Sequence, residues 1–195
     1  MRSCTYERVT AETAVRSALT LDSADAAEIA TGHRMLDHLL QQFAFHAPAG
    51  VRLSAQSLDG IEHHLVEDVA IALGESLRGA LAEQRGIERF GAALLPMDDA
   101  LVRVAVDLGG RGYARVDLGL TCDRIEDLTA EMVPHFFSSF AAHARIALHV
   151  DRVAGTNAHH CVEAAFKALA RACADGWRLR PCAPTRASST KEVVV

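Results

Sequence analysis

The chain has no long apolar run: stretches such as Val69 to Leu73 fall far short of the roughly 18 to 20 consecutive residues of a membrane span. Its first residues, Met1-Arg2-Ser3-Cys4-Thr5-Tyr6-Glu7-Arg8, are polar and charged. They carry neither the apolar core nor the small-residue cleavage site of a secretory signal, so a cytoplasmic address is expected. No CxxC pair occurs among the five scattered cysteines, Cys4, Cys122, Cys161, Cys173 and Cys182. That argues against a zinc knuckle or a disulfide framework and for reduced, mostly buried thiols. Lysine is scarce: of 20 cationic residues only Lys167 and Lys191 are Lys, and the net charge is −5. A broad nucleic-acid-binding surface is disfavoured, and an anionic ligand needs a local cationic pocket. At 195 residues, 50% hydrophobic and 23% charged, the chain is neither disordered nor fibrous and suffices for one domain or two small fused units.

Histidine is what the chain has in excess, ten residues with adjacent pairs at His63-His64 and His159-His160. The pairs belong to an internal repeat, whose detection decides the fold. Leu36 to Ala47 aligns with Val133 to Ala144 at an offset of 97, and His63 to Leu73 with His159 to Leu169 at an offset of 96. Within each unit the pattern predicts strand, helix, strand, helix. Val15 to Leu21, Ala114 to Leu120, Val51 to Ala55 and Ile146 to Val150 carry the partial alternation of strands. The segments from Leu36 and from Val133, and those after each His-His pair, place apolar residues at helical spacing. Asp22 to Thr31, Ile87 to Pro96 and the stretch after Trp177 read as connections. The expected architecture is α+β, with two pseudo-symmetric repeats, each a β-sheet with helices packed on one face. Repeats at 1–93 and 94–180 form one domain, followed by a tail at 181–195.

Each repeat carries a lone His and, 24 or 25 residues later, H-H-x-x-E: His38 with His63, His64 and Glu67, and His135 with His159, His160 and Glu163. Residues four apart share a helix face, so His63 and Glu67 can share a cation, as can His159 and Glu163. The second His of each pair points about 100° away and should serve a different ion. The partition that follows is His63, Glu67, His135 and His160 at one site, and His159, Glu163, His38 and His64 at the other. Three imidazoles and a carboxylate suit Mn, Fe, Co, Ni or Zn. Four protein ligands on an octahedral ion leave two positions for substrate, a catalytic arrangement. A single His-His pair is more often a surface feature; two copies in matching register, each with a matching lone His, favour metal.

These residues resemble those of the imidazoleglycerol-phosphate dehydratase family of histidine biosynthesis. The resemblance runs from Glu7 to about Lys191. It is carried by Thr10-Ala11-Glu12-Thr13, Leu36-Asp37-His38, His63-His64 with Glu67 to Gly74, Gly86 to Gly91, Pro96-Met97-Asp98, Glu131 to Phe137, Asn157 to His160, Glu163 to Leu169 and Ser189-Thr190-Lys191. It implies a hydro-lyase that converts D-erythro-imidazole-glycerol phosphate to imidazole-acetol phosphate. It implies two Mn(II) ions per active site on the eight residues above, in a homo-oligomer of twenty-four chains built from trimers, with metal sites between subunits. No nucleic-acid or membrane partner is implied. No carbonyl activates the proton removed, so cations on the ring nitrogens would provide the electron sink.

By the same resemblance Glu12 is the acid/base candidate, with Glu163 and His64 also catalytic. Arg89, Arg111, Lys167, Ser189, Thr190 and Lys191 match positions that hold the phosphate, and His46 one that lines the substrate site. His38, His63, Glu67 and His159 meet substrate as well as metal. Several positions depart from the family pattern. Glu62 and Leu65 stand where Asp and Thr usually flank the first pair, His33 and Arg34 replace small residues, His143 replaces a frequent Asn, and Glu192 stands where Gly commonly follows Lys191. The rival readings are a metal-dependent assembly without turnover and a dinuclear metallohydrolase, which would usually draw on bridging carboxylates.

Overall fold

The structure, a computed structural model, describes residues 2–23, 25–182 and 187. Fourteen elements run β1 (Ser3–Val9), β2 (Thr13–Leu21), β3 (Glu28–Ala30), α1 (Arg34–His46), β4 (Ala49–Ser57), α2 (Glu62–Leu81), β5 (Phe90–Met97), β6 (Ala100–Asp107), β7 (Tyr113–Asp117), β8 (Arg124–Ile125), β9 (Leu128–Thr129), α3 (Met132–Ala144), β10 (Ala147–Ala154) and α4 (Ala158–Trp177). They build two four-stranded sheets of the same design, β1-β2-β4-β3 and β5-β6-β10-β7. In each, three strands pair antiparallel and the fourth lies parallel to its neighbour, β3 to β4 and β7 to β10. The helices pack between the sheets: α2 lies on β1 and β2, α4 on β5 and β6, and the repeats interlock through α1 against α4 and α2 against α3. This is the expected α+β fold of two repeats, each sheet covered by helices on one face.

The strands alternate because one face of each sheet meets helices and the other does not. β2 buries Val15, Leu19 and Leu21, and β6 buries Val102, Val104 and Val106. Two inward positions of β2 are polar and join the sheet to α2. Thr13 Oγ1 donates to Asp68 at 2.5 Å, and the Ser17 carbonyl accepts from Ser76 Oγ at 3.1 Å. Asp68 also accepts from Arg8 Nε at 2.6 Å. One carboxylate thus holds both strands that flank the turn carrying Glu12 against the helix that carries His63, His64 and Glu67.

Each four-stranded sheet takes three strands from before its repeat's first helix, where the sequence pattern predicts one. β1, β3, β5 and β7 are edge strands with one side unpaired, which weakens the apolar alternation. Pro96 marks a connection by its chemistry, yet an edge strand tolerates proline, and Pro96 lies opposite Leu101 within β5. The division expected between residues 93 and 94 falls inside that strand. Ala114 to Leu120 is not the counterpart of Val15 to Leu21: β7 covers its first part and corresponds to β3. The true partner of β2 is β6. Leu21 closes β2 opposite Ala49 as Asp107 closes β6 opposite Ala147. The β8–β9 hairpin, absent from the first repeat, lengthens the offset from there onward. Among the thiols only Cys161 and Cys173 are buried, and all five are free; Cys122 and Cys182 are exposed and Cys4 half-buried. Burial pushes the Cys173 thiol up to about 12. No helix among the described residues is long and apolar enough to cross a membrane.

Packing is tight where the layers meet. A Cβ built on Gly91 of β5 would stand 1.9 Å from the Ala172 carbonyl oxygen of α4, and one on Gly74 of α2 2.8 Å from the Phe140 carbonyl oxygen of α3. Both obstacles are backbone, so neither can swing aside. Gly91→Ala should cost about 3 kcal/mol or more by overpacking, read as a lower urea midpoint; a loss under about 1 kcal/mol would mean that β5 and α4 can separate freely.

Candidate metal centre

The helix crossings bring the histidines of the two repeats together. His38 on α1 meets His159 and Glu163 on α4, and His135 on α3 meets His63 and Glu67 on α2; in each group the candidate ligand atoms lie within 4.8 Å of one another. Glu163 Oε2 stands 2.9 Å from His38 Nε2 and 3.1 Å from His159 Nε2. Donors at right angles about 2.1 Å from one ion are about 3 Å apart, so this spacing suits a cation. In the other group the His63 and His135 rings have centroids 4.3 Å apart, and Glu67 Oε1 is 3.5 Å from His135 Nε2. That nitrogen is buried without a hydrogen-bond partner. A buried imidazole nitrogen left unsatisfied beside another imidazole and a carboxylate fits a divalent cation with borderline-soft nitrogen preference.

His64 and His160 turn away, as the helical step requires. The ring planes within the pairs are 86° and 90° apart, and each second histidine finds a carboxylate on Nδ1. His64 Nδ1 is 2.6 Å from Asp59 Oδ2, with Glu12 Oε2 at 3.7 Å; His160 Nδ1 is 2.7 Å from Asp99 Oδ1. Asp99 also accepts from the Thr156 and Asn157 amides, and these with His160 hold its carboxyl well below the usual range. Asp59 raises the His64 pKa. A carboxylate on Nδ1 fixes the imidazole and turns Nε2 to where it can face an ion; at His160 that nitrogen has Asp98 Oδ2 at 3.5 Å. Sequence reasoning missed both aspartates, which lie outside the repeated motif, Asp59 before α2 and Asp99 in the β5–β6 turn.

Around Glu163 the site is cationic. Lys167 Nζ is 2.7 Å from its Oε1, one helical turn on. Burial alone would raise the Glu163 carboxyl, but Lys167 and His38 more than offset this and hold it at about 2. Burial, then the nearby charges of Lys167 and Arg171, lower the His46 pKa. Arg171 had no signal beyond a single charge on the α4 surface. Arg89 lies elsewhere: its backbone bonds to Gly176 at the far end of α4, about 25 Å from His159 at 1.5 Å per residue. Its guanidinium engages Asp107 at 2.6 and 3.0 Å. Arg111 is exposed between β6 and β7. Ser189, Thr190 and Lys191 lie outside the described residues. The departures also find places: Leu65 is buried in the core, His143 Nδ1 lies 3.1 Å from Glu75 across α2 and α3, and Glu62 joins His33 at 2.9 Å.

Two outcomes follow. Asp59→Asn and Asp99→Asn should each weaken Mn(II) binding by about 10 to 100-fold, measured by chelator competition; unchanged affinity would show that the two second histidines need no orienting carboxylate. A depressed carboxyl stabilises the fold above its unfolded pKa of about 4.3 and loses that contribution as pH falls through the folded value. In metal-free protein the melting-temperature gap between wild type and Glu163→Gln should therefore be full at pH 6 and close as pH falls below about 4 toward 2. A gap that persists at the acid end would assign it to packing.

Known proteins resemble this chain in sequence and fold. The sequence profile of imidazoleglycerol-phosphate dehydratase matches residues 31–173. An enzyme of that name from Dehalococcoides mccartyi is 44% identical over 190 residues, 97% of this chain and 96% of its own length. One from Metallosphaera sedula is 46% identical over 171 residues, 85% of this chain and 89% of its own. Among solved structures, the IGPD of Pyrococcus furiosus in complex with (S)-C348 superposes with a TM-score of 0.84 at 38% identity, covering 96% of this chain and 99% of that one. The imidazoleglycerol-phosphate dehydratase of Staphylococcus aureus gives a TM-score of 0.81 at 30% identity, covering 91% and 99%. On a profile match across most of the chain and relatives of this identity along nearly all of it, the chain belongs to the imidazoleglycerol-phosphate dehydratase family, hydro-lyases of histidine biosynthesis.

Proposed function

We propose that the chain performs the family's reaction at a dinuclear centre, with His38, His63, His64, Glu67, His135, His159, His160 and Glu163 as ligands. The observation that carries this reading is the cross-repeat meeting of His, His and Glu in two separate groups, one of them with an unsatisfied His135 Nε2. Bound there, two divalent ions such as Mn(II) would supply Lewis-acid stabilisation of negative charge on the substrate's imidazole ring. In one chain each group has three members, while His64 and His160 face other carboxylates. They are therefore assigned to complete the groups of neighbouring copies, in an assembly of twenty-four chains built from trimers. The same arrangement accounts for Arg89, too distant from His159 in its own chain to share a substrate with it. From another copy, Arg89 and Arg111 would reach the phosphate, together with Lys167 and the tail at 181–195 bearing Ser189, Thr190 and Lys191. The repeats work as one domain, in the cytoplasm.

The reaction removes hydroxide from the carbon beside the ring and a proton from the next carbon, releasing water and leaving an enol that becomes the ketone. Glu12 is the proposed proton carrier. Its turn is pinned to α2 through Thr13, Arg8 and Asp68, and its carboxylate is half-exposed, free to meet substrate. His64, 3.7 Å from Glu12, can pass or hold that proton, and Lys167 keeps Glu163 ionised as a ligand. His46, whose pKa is lowered by burial and by Lys167 and Arg171, would line the substrate site beside Lys167.

The test is formation of imidazole-acetol phosphate by chelated protein and again after Mn(II) is restored. Turnover should appear only with metal, and Glu12→Gln should lower kcat by about 100-fold or more with metal content unchanged. Full turnover by stripped protein would overturn the dinuclear reading, and an active Glu12→Gln would remove Glu12 from the chemistry.

A further inference from the structure

The β8–β9 hairpin breaks the repeat. The first repeat passes from β3 to α1 through three residues, whereas the second interposes a hairpin before α3, and the tip of that hairpin lies beside the His38/His159/Glu163 group. Together they line a cleft of about 310 Å³, with Met35, His38, Glu126, Asp127, His159 and Glu163 in its wall. Glu126, at the tip, has φ of 53°, a left-handed conformation that costs a non-glycine residue roughly 1 kcal/mol or more. Its Oε1 stands 3.5 Å from His159 Nδ1. A strained tip that presents a carboxylate to the site must be held from behind.

Glu62 is the holder. It is the first residue of α2, in the other repeat, and reaches the hairpin with both oxygens. Oε1 accepts from the Thr129 amide at 3.2 Å and lies 3.5 Å from Arg124 Nη2, while Oε2 accepts from Thr129 Oγ1. His33 Nε2 sits 2.9 Å from the same Oε1. On the near side, Asp127 accepts from the Met35 amide at 2.9 Å, pinning the hairpin to the start of α1. The clamp is partly buried, so its hydrogen bonds are shielded from water.

We propose that Glu62 is a positioning residue for the dehydratase reaction, clamping the β8–β9 hairpin so that Glu126 orients His159 and the hairpin forms one wall of the substrate cleft. The proposal rests on the reading of that cleft as the place of substrate. Its bland alternative is a first-turn acid that only favours the helix dipole.

The experiment compares Glu62→Ala, Thr129→Val and their double in Mn(II)-loaded protein, by steady-state kinetics with imidazole-glycerol phosphate and by hydrogen exchange at the Thr129 amide. Wild-type turnover is measured first, so failure of the dehydratase reading shows separately. Glu62→Ala should raise KM by about fivefold or more while kcat changes by less than about twofold. Exchange at Thr129 should quicken in metal-free protein also. Thr129→Val should copy the KM effect, the double should not add to it, and Glu62→Gln, which keeps an acceptor for the Thr129 amide, should restore part. A lower melting temperature with KM unchanged would overturn the proposal in favour of the helix-dipole role. Additive effects of Glu62→Ala and Thr129→Val would overturn it too.

Discussion

Everything in this structure depends on two helix crossings, α1 against α4 and α2 against α3. Each joins a lone histidine of one repeat to an i,i+4 His/Glu pair of the other, so neither of these two groups is built by one repeat alone. Buried aromatic contacts tie the crossed helices to one another: Phe43 meets Phe140 between α1 and α3, and Phe136 and Phe137 meet Phe166 between α3 and α4. Core packing and site geometry are thus the same interaction seen at different ends of the helices. The glycine at position 74 allows the closest of these approaches, because a side chain there would strike backbone.

The two groups are similar in donors and different in surroundings. Lys167 lies one turn after Glu163 and pairs with it, while the matching position after Glu67 is the apolar, buried Ile71. The tip of the hairpin lies beside the Glu163 group. One centre has a buried carboxylate neutralised by a cation; the other carries an exposed His63 and an unsatisfied imidazole nitrogen. A pseudo-symmetric fold has been turned to asymmetric use, as a substrate with a ring at one end and a phosphate at the other requires.

The repeat made the helices and the six residues of the two groups legible, because helical spacing and a matched register survive duplication. The strands were less so. β1, β3, β5 and β7 are edges, half covered and short of alternation, and the hairpin insertion displaced the match between β2 and β6. The orienting aspartates stayed hidden because Asp59 and Asp99 reach their histidines from loops whose sequences are not repeated. Glu62 and His33 read separately as departures from a pattern; only the fold shows them 2.9 Å apart. The placement of Arg89 at the far end of α4 was equally invisible, since motif order says nothing of distance along a helix.

The central claim is that each ion is shared between repeats within one chain. Metal content per chain in the Mn(II)-loaded assembly, counted by native mass spectrometry, tests it most directly in wild type, His38→Ala, Glu163→Gln and the double variant. The account predicts two ions per wild-type chain and one in each of the three variants, because His38 and Glu163 serve the same ion. A double variant that retains none, while each single variant retains one, would place the two residues on different ions and contradict the account.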